Sequence, residues 1–186
     1  EIQKPLQDAN KNYDRIIKKI KEYDILLNTQ QKSLSELKRI YPELFAQYKT
    51  DAERQRAVTE ATKKRVEAVN ELKSLSPELL SAIDSESASV QSLAEAWSDV
   101  TQAMRDNEVE ALKAKKANTE ALIATARRNL QTWQEKRDSA SDTDQQRIWN
   151  AMMGAEEDKI KGLEKDLAGY NRELEALKKA TDDAAA

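Results

Sequence analysis

The sequence predicts an all-α protein: an elongated antiparallel helical bundle or coiled coil that ends in a helical hairpin. Three observations predict it. The 186 residues are 35% charged and 5% aromatic, with only three Gly and three Pro, which is the profile of long helices and coiled coils. Apolar residues recur at heptad spacing over long stretches. A short Pro-Glu-Leu motif occurs twice, each time where one periodic stretch ends and the next has yet to begin. Residues that make turns are too few for a sheet-containing fold.

The first periodic stretch runs from Leu6 to Tyr41. Leu6, Tyr13, Ile20, Leu27, Leu34 and Tyr41 are seven apart, and so are Ala9, Ile16, Tyr23, Gln30 and Leu37 between them. This predicts one long helix, near 6–40, with a single polar break in its seam at Gln30.

A corner follows. Leu37-Lys38-Arg39-Ile40-Tyr41-Pro42-Glu43-Leu44-Phe45 returns 35 residues later as Leu72-Lys73-Ser74-Leu75-Ser76-Pro77-Glu78-Leu79-Leu80. Proline lacks an N–H and its ring clashes with the carbonyl four residues back, so it cannot lie deep in a helix. It is welcome at the first helical position. Each copy therefore predicts a long helix that stops and a short one that starts at Pro42 or Pro77, with Ser76 as an N-cap. The pairs Leu44–Phe45 and Leu79–Leu80 are expected to be buried anchors of the two corners.

Thr50 and Glu53 have capping-box spacing, so the next helix is expected near 52–75, with Val58, Thr62, Val66, Val69 and Leu72 on one side. Laid antiparallel on the first helix, Val58 falls near Leu34, Val66 near Leu27 and Leu72 near Ile20. A third long helix, near 86–137, is expected to begin at an Asp84 N-cap. It carries Val90, Leu93, Trp97, Val100 and Met104, and is read as continuous through Asn107. Beyond lie Ala111, Ala114, Ala117, Ala121 and Ala124, with Leu122, Ala126, Leu130 and Trp133 continuing the seam.

Asp138 to Thr143 is a run of small and polar residues that favours turns over helix interior. Thr143 and Gln146 have capping-box spacing. The last helix, near 144–180, carries Trp149, Met152, Ile160, Leu163, Leu167, Tyr170, Leu174 and Leu177. Folding the chain at the loop predicts a hairpin seam in which Trp133 meets Trp149 and Leu130 meets Met152. Further out, Thr119 falls opposite Leu163, Leu112 opposite Tyr170 and Val109 opposite Leu174. Residues 108–137 hold seven Lys/Arg and four Asp/Glu, while 144–183 hold seven and ten, so the arms attract. Gly154, Gly162 and Gly169 weaken the last helix unless a neighbour approaches there. Two domains are expected: a helical bundle with two corners over 1–105, and the antiparallel hairpin over 106–186.

Chemistry is hard to place on this chain. There is no His and no Cys, which removes the usual zinc ligands and nucleophile–base pairs. Glu156-Glu157-Asp158 are consecutive, so on a helix they point in different directions. Lys18, Lys19 and Lys21, and Lys113, Lys115 and Lys116, are interleaved with acids and read as solvated faces, leaving no nucleic-acid footprint. Trp97, Trp133 and Trp149 follow the apolar seams and read as core. Glu43 and Glu78 favour the N-termini of the short helices electrostatically. No catalytic, cofactor-binding or metal residue is predicted, and no run is apolar enough to span a membrane. The chain begins with Glu1 and is expected to be a fragment or processed product.

The heptad helices, the repeated Leu-Lys-x-x-x-Pro-Glu-Leu corner, the Trp97 segment from Leu93 to Met104 and the closing hairpin together resemble the helical body of bacteriophage tail tape measure proteins, especially those of phages and prophages of gut bacteria. The similarity covers most of residues 30–180. The resemblance implies a non-enzymatic structural protein that sets tail length and assists tail assembly. Its implied partners are other copies of itself and tail tube or tail assembly proteins. It also implies residence in the virion tail, after assembly in the bacterial cytoplasm. The alternative is a coiled-coil adaptor, stalk or interaction module unrelated to phage.

Overall fold

A computed structural model describes residues 4–186. Helix accounts for 86% of the described residues, against about a third in ordinary globular domains. In chain order the helices are α1 (Lys4–Asn28), α2 (Leu34–Ile40), α3 (Pro42–Phe45), α4 (Asp51–Ser74), α5 (Pro77–Leu80), α6 (Val90–Ser139) and α7 (Thr143–Ala185). Two compact units divide them, one ending at Ala103 and the other running from Met104 to Ala186. Pro42 and Pro77 each open a helix, where no N–H is missed.

In the first unit, the stretch expected as one helix is two. α1 stops at Asn28 and α2 starts at Leu34. Polar side chains make the break. Thr29 donates its hydroxyl to the Ile25 carbonyl, and Gln30 its amide to Leu27 at 2.9 Å. Ser33 then caps α2 by accepting from the Glu36 N–H at 3.3 Å. The heptad count ran straight through this Ser33-x-x-Glu36 signal, and local capping wins over a seam that had already lost an apolar residue at Gln30.

α1 and α4 lie antiparallel, tied by Arg15–Glu71 and Asp24–Arg65. Ile16, Ile17 and Ile20 pack with Ala68, Val69, Leu72, Ala88 and Leu93, while Leu26, Leu37, Phe45, Val58 and Ala61 form a second cluster. Ile20 and Leu72 thus share one cluster, and Leu34 packs on the cluster that holds Val58. Thr62 is exposed; the inward stripe of α4 is instead Arg54, Val58, Ala61, Ala68, Val69 and Leu72. Thr50 caps α4 as expected, accepting from the Glu53 N–H at 3.2 Å, while Glu53 accepts from the Lys49 N–H at 2.8 Å.

α6 begins at Val90, later than expected, because Asp84 caps a turn and not the helix. Its carboxylate accepts from the Glu86 N–H at 3.1 Å and the Ser87 hydroxyl at 2.7 Å. Ser89 and Ser92 cap each other's N–H reciprocally at 3.0 Å to start α6. No break occurs at Asn107.

In the second unit α6 and α7 pack closely. The α6 stripe is Leu112, Thr119, Ile123, Ala126, Leu130 and Trp133; the α7 stripe is Trp149, Met153, Ile160, Leu163, Leu167, Tyr170, Leu174 and Leu177. The five alanines Ala111, Ala114, Ala117, Ala121 and Ala124 are all exposed, and Leu122 is largely so. They lie off the heptad phase set by Leu112 and Thr119. The loop is only Ala140 to Asp142, and Asp142, not Thr143, is the N-cap, accepting from the Asp144 N–H at 3.1 Å. A carboxylate there also meets the positive end of the helix dipole. Nothing lies within 4 Å of a Cβ built on Gly154 or Gly162, so no neighbour within the chain exploits their small size.

Candidate functional site

The sequence singled out the corners and the hairpin seam, and they are built differently. At the first corner, Pro42 is exposed and opens α3, and the Tyr41 carbonyl accepts from the Phe45 N–H at 3.1 Å. Phe45 has no exposed area and sits between the rings of Tyr41 and Tyr48 at 6.2 and 6.0 Å. Leu44 is half-buried. Ile25, Ile40, Tyr41 and Leu44 line an apolar notch of about 380 Å³ rimmed by Lys18 and Lys21, with Glu22 and Glu43 beside them.

At the second corner Pro77 is exposed, and the Ser76 carbonyl accepts from the N–H groups of Leu79 and Leu80 at 3.2 and 2.9 Å. The Ser76 side chain makes no cap bond. Leu80 is buried at 1% exposure, but Leu79 is 52% exposed and is no anchor. Neighbouring side chains on a helix point about 100° apart, so a one-turn helix turns only one of the two leucines inward. Lys73 ties the corner down by donating to the Ile83 carbonyl at 2.6 Å.

Charged side chains inside the first unit are structural. Arg65, its side chain 12% exposed, donates to the Asp24 carboxylate at 2.6 Å and to the Ala88 carbonyl at 2.7 Å. It crosses a groove of about 1180 Å³ whose apolar lining includes Leu27 and Val66. Arg54, buried, reaches the Gln30 carbonyl at 3.3 Å and so closes the break between α1 and α2. Trp97 stacks on Tyr13 at 4.9 Å and donates its indole N–H to Asn10 at 2.8 Å. Sequence reading passed over Arg54 and Arg65. Their signal is that they fall in step with Val58, Ala61 and Val69 on the α4 stripe.

The hairpin tip brings Trp133 and Trp149 together, stacked at 5.4 Å, with the Lys136 ammonium 5.1 and 5.0 Å from the two ring centres. Leu130 is half-buried in the seam, but Met152 is 37% exposed; Met153, one residue on, takes the inward position. The heptad from Trp149 to Met153 to Ile160 fixes that choice.

Few titratable groups are perturbed. Burial pushes the Glu108 carboxyl up, against a smaller downward pull from Arg105. The Arg15 hydrogen bond holds Glu71 below its usual range, and the Ser87 hydroxyl and Glu86 N–H do the same for Asp84. These groups do not converge on a shared cavity. Glu157 and Asp158 are exposed while Glu156 is half-buried, and Lys113 pairs with Glu110 at 3.2 Å. Among the described residues no group of three or more acidic side chains is placed to hold a metal ion, and no helix is long and apolar enough to cross a membrane. No protein-family model, curated protein or solved structure matches the chain.

Proposed function

We propose that this chain is a non-enzymatic structural segment of a phage tail tape measure protein, one that contributes length and inter-copy contacts to a growing tail. The reading starts from the sequence resemblance. The observation that supports it most is the second unit: α6 from Met104 to Ser139 and the 43 residues of α7, joined by a minimal loop, with heptad seams and no converging polar groups. A helix turns residue number into distance at about 1.5 Å per residue, which is the property a ruler needs.

The test is an in-frame deletion of residues 108–180 in the parent gene, with tail length read by electron microscopy. An extended segment shortens the tail by roughly 110 Å, and one that stays folded back by half of that or less. Infectious tails of normal length remove the segment from the ruler. A parent gene outside any phage or prophage leaves a helical interaction module.

A further inference from the structure

We propose that the first unit carries a head-to-tail contact between copies of this chain, in which Leu79 of one copy enters the notch at the first corner of the next. The proposal stands on the first unit alone and does not depend on the tail reading.

Among the described residues, the large apolar side chains that stay exposed in this unit are Ile40, Tyr41 and Leu79. Ile40 and Tyr41 line the notch at the first corner; Leu79 is exposed at the second. The corners lie at opposite ends of α4, whose 24 residues separate them by about 36 Å. They cannot cover one another within a copy. An exposed apolar side chain and a separate apolar pocket on one molecule are the two halves of a heterologous contact, which propagates as an open chain and does not close as a pair.

Charge runs the same way. Residues 37–49 hold Lys38, Arg39 and Lys49 against one acid, Glu43, while the notch itself is lined by Lys18 and Lys21 and by Glu22 and Glu43. Residues 76–89 hold Glu78, Asp84 and Glu86, against the one Lys73 that reaches in to the Ile83 carbonyl. A notch bordered by a net basic segment therefore faces a net acidic corner with a leucine. The same polarity opposes corner-to-like-corner pairing. A notch of about 380 Å³ accommodates one leucine side chain and its turn, which makes a small contact of the weak, transient class. It gains strength where copies are already concentrated along a common axis.

The experiment is sedimentation velocity on the full 186-residue chain from about 10 µM to about 1 mM, the range in which weak contacts populate. The expected result is growth to dimers and longer species that shrinks as salt is raised. Leu79→Lys and Ile40→Lys should each weaken association at least about tenfold. Both positions are exposed, and circular dichroism checks that helix content is unchanged. Mixing the two variants is decisive, because each retains the half that the other has lost. A head-to-tail contact gives dimers that grow no further. A mixture that stays monomeric, or a wild-type chain that stays monomeric up to about 1 mM, overturns the proposal, as does association indifferent to both substitutions.

Discussion

Phe45 and Leu80 occupy matched places in the two Pro-Glu-Leu corners and are both buried, while Leu79, one residue before Leu80, is exposed and carries far less energetic weight. Phe45→Ala removes a ring with no exposed area from a cluster of Leu26, Leu37, Val58 and Ala61. Truncating a packed Phe costs about 3–5 kcal/mol, and the loss of two tilted ring contacts adds toward the upper end. Leu80→Ala, at 1% exposure, should cost about 2–5 kcal/mol. Leu79→Ala, at 52%, should cost less than about 1 kcal/mol, since half of that side chain already meets water. Two units are present, so one unfolding signal does not report on both. Replacing Trp133 and Trp149 by Phe leaves Trp97, buried in the first unit, as the fluorescent reporter. Urea titrations in that background, compared at constant m, give the three losses. A Phe45→Ala loss below about 1 kcal/mol, or a Leu79→Ala loss equal to that of Leu80→Ala, would refute the assignment of anchors.

Gly154→Ala and Gly162→Ala should each stabilise the chain by roughly 0.5–1 kcal/mol, because both sites are helical with nothing within 4 Å of the new methyl; a destabilised variant in thermal melts would contradict this. Asp24→Ala leaves the nearly buried Arg65 guanidinium without its carboxylate and should cost about 1–3 kcal/mol. Glu71→Ala breaks an exposed pair and should cost about 0–1 kcal/mol; equal losses in denaturant would sink that distinction. Glu108 has its folded pKa raised above the unfolded value near 4.5, so it favours folding below that pH and the benefit is lost as pH rises through the folded value. Glu108→Gln should therefore raise the melting temperature at pH 7, with the gain fading below about pH 4.5; a pH-independent difference would point to another cause.

The helical class and the hairpin were legible because they rest on long-range periodicity, which repeats enough to survive a few polar intrusions. Leu112, Ile160, Leu163 and Leu177 fall where the heptads put them. What the period could not see was local. The break between α1 and α2 comes from Thr29, Gln30 and Ser33 bonding to backbone groups, and a count of apolar residues is blind to that. The starts of α6 and α7 were displaced because several capping residues crowd each boundary, Asp84 with Ser89 and Asp142 with Thr143, and spacing alone does not rank them. Met152 and Leu79 were misplaced for one geometric reason: next to a true inward position, a one-residue error rotates a side chain by about 100°. Arg54 and Arg65 were invisible to a hydrophobic count, although their stems follow the stripe and their head groups meet carbonyls and carboxylates there.

The two units should respond differently to being pulled straight, and this bears on the proposed ruler role. α2, α3 and α5 have 7, 4 and 4 residues, too few to hold helix without the burial of Leu37, Phe45 and Leu80. Extending the first unit therefore dismantles its core. α6 and α7 are well beyond the ~12–15 residues at which an isolated helix becomes marginal, and the exposed alanines of α6 add intrinsic propensity that asks for no partner. In the second unit the fully buried apolar residues are few, Leu112, Ile123, Ala126, Ile160 and Leu177 among them. Opening that hairpin exposes a narrow seam and is expected to leave more helix intact than opening the first unit. A tail ruler built from this chain should then gain its length chiefly from the second unit. Deletion of 108–180 should shorten tails by close to ~1.5 Å per residue removed. A shortening of half that figure or less would mean that the hairpin stays closed in the tail. An equal per-residue loss on deleting residues 34–80 would mean that the first unit is extended as well.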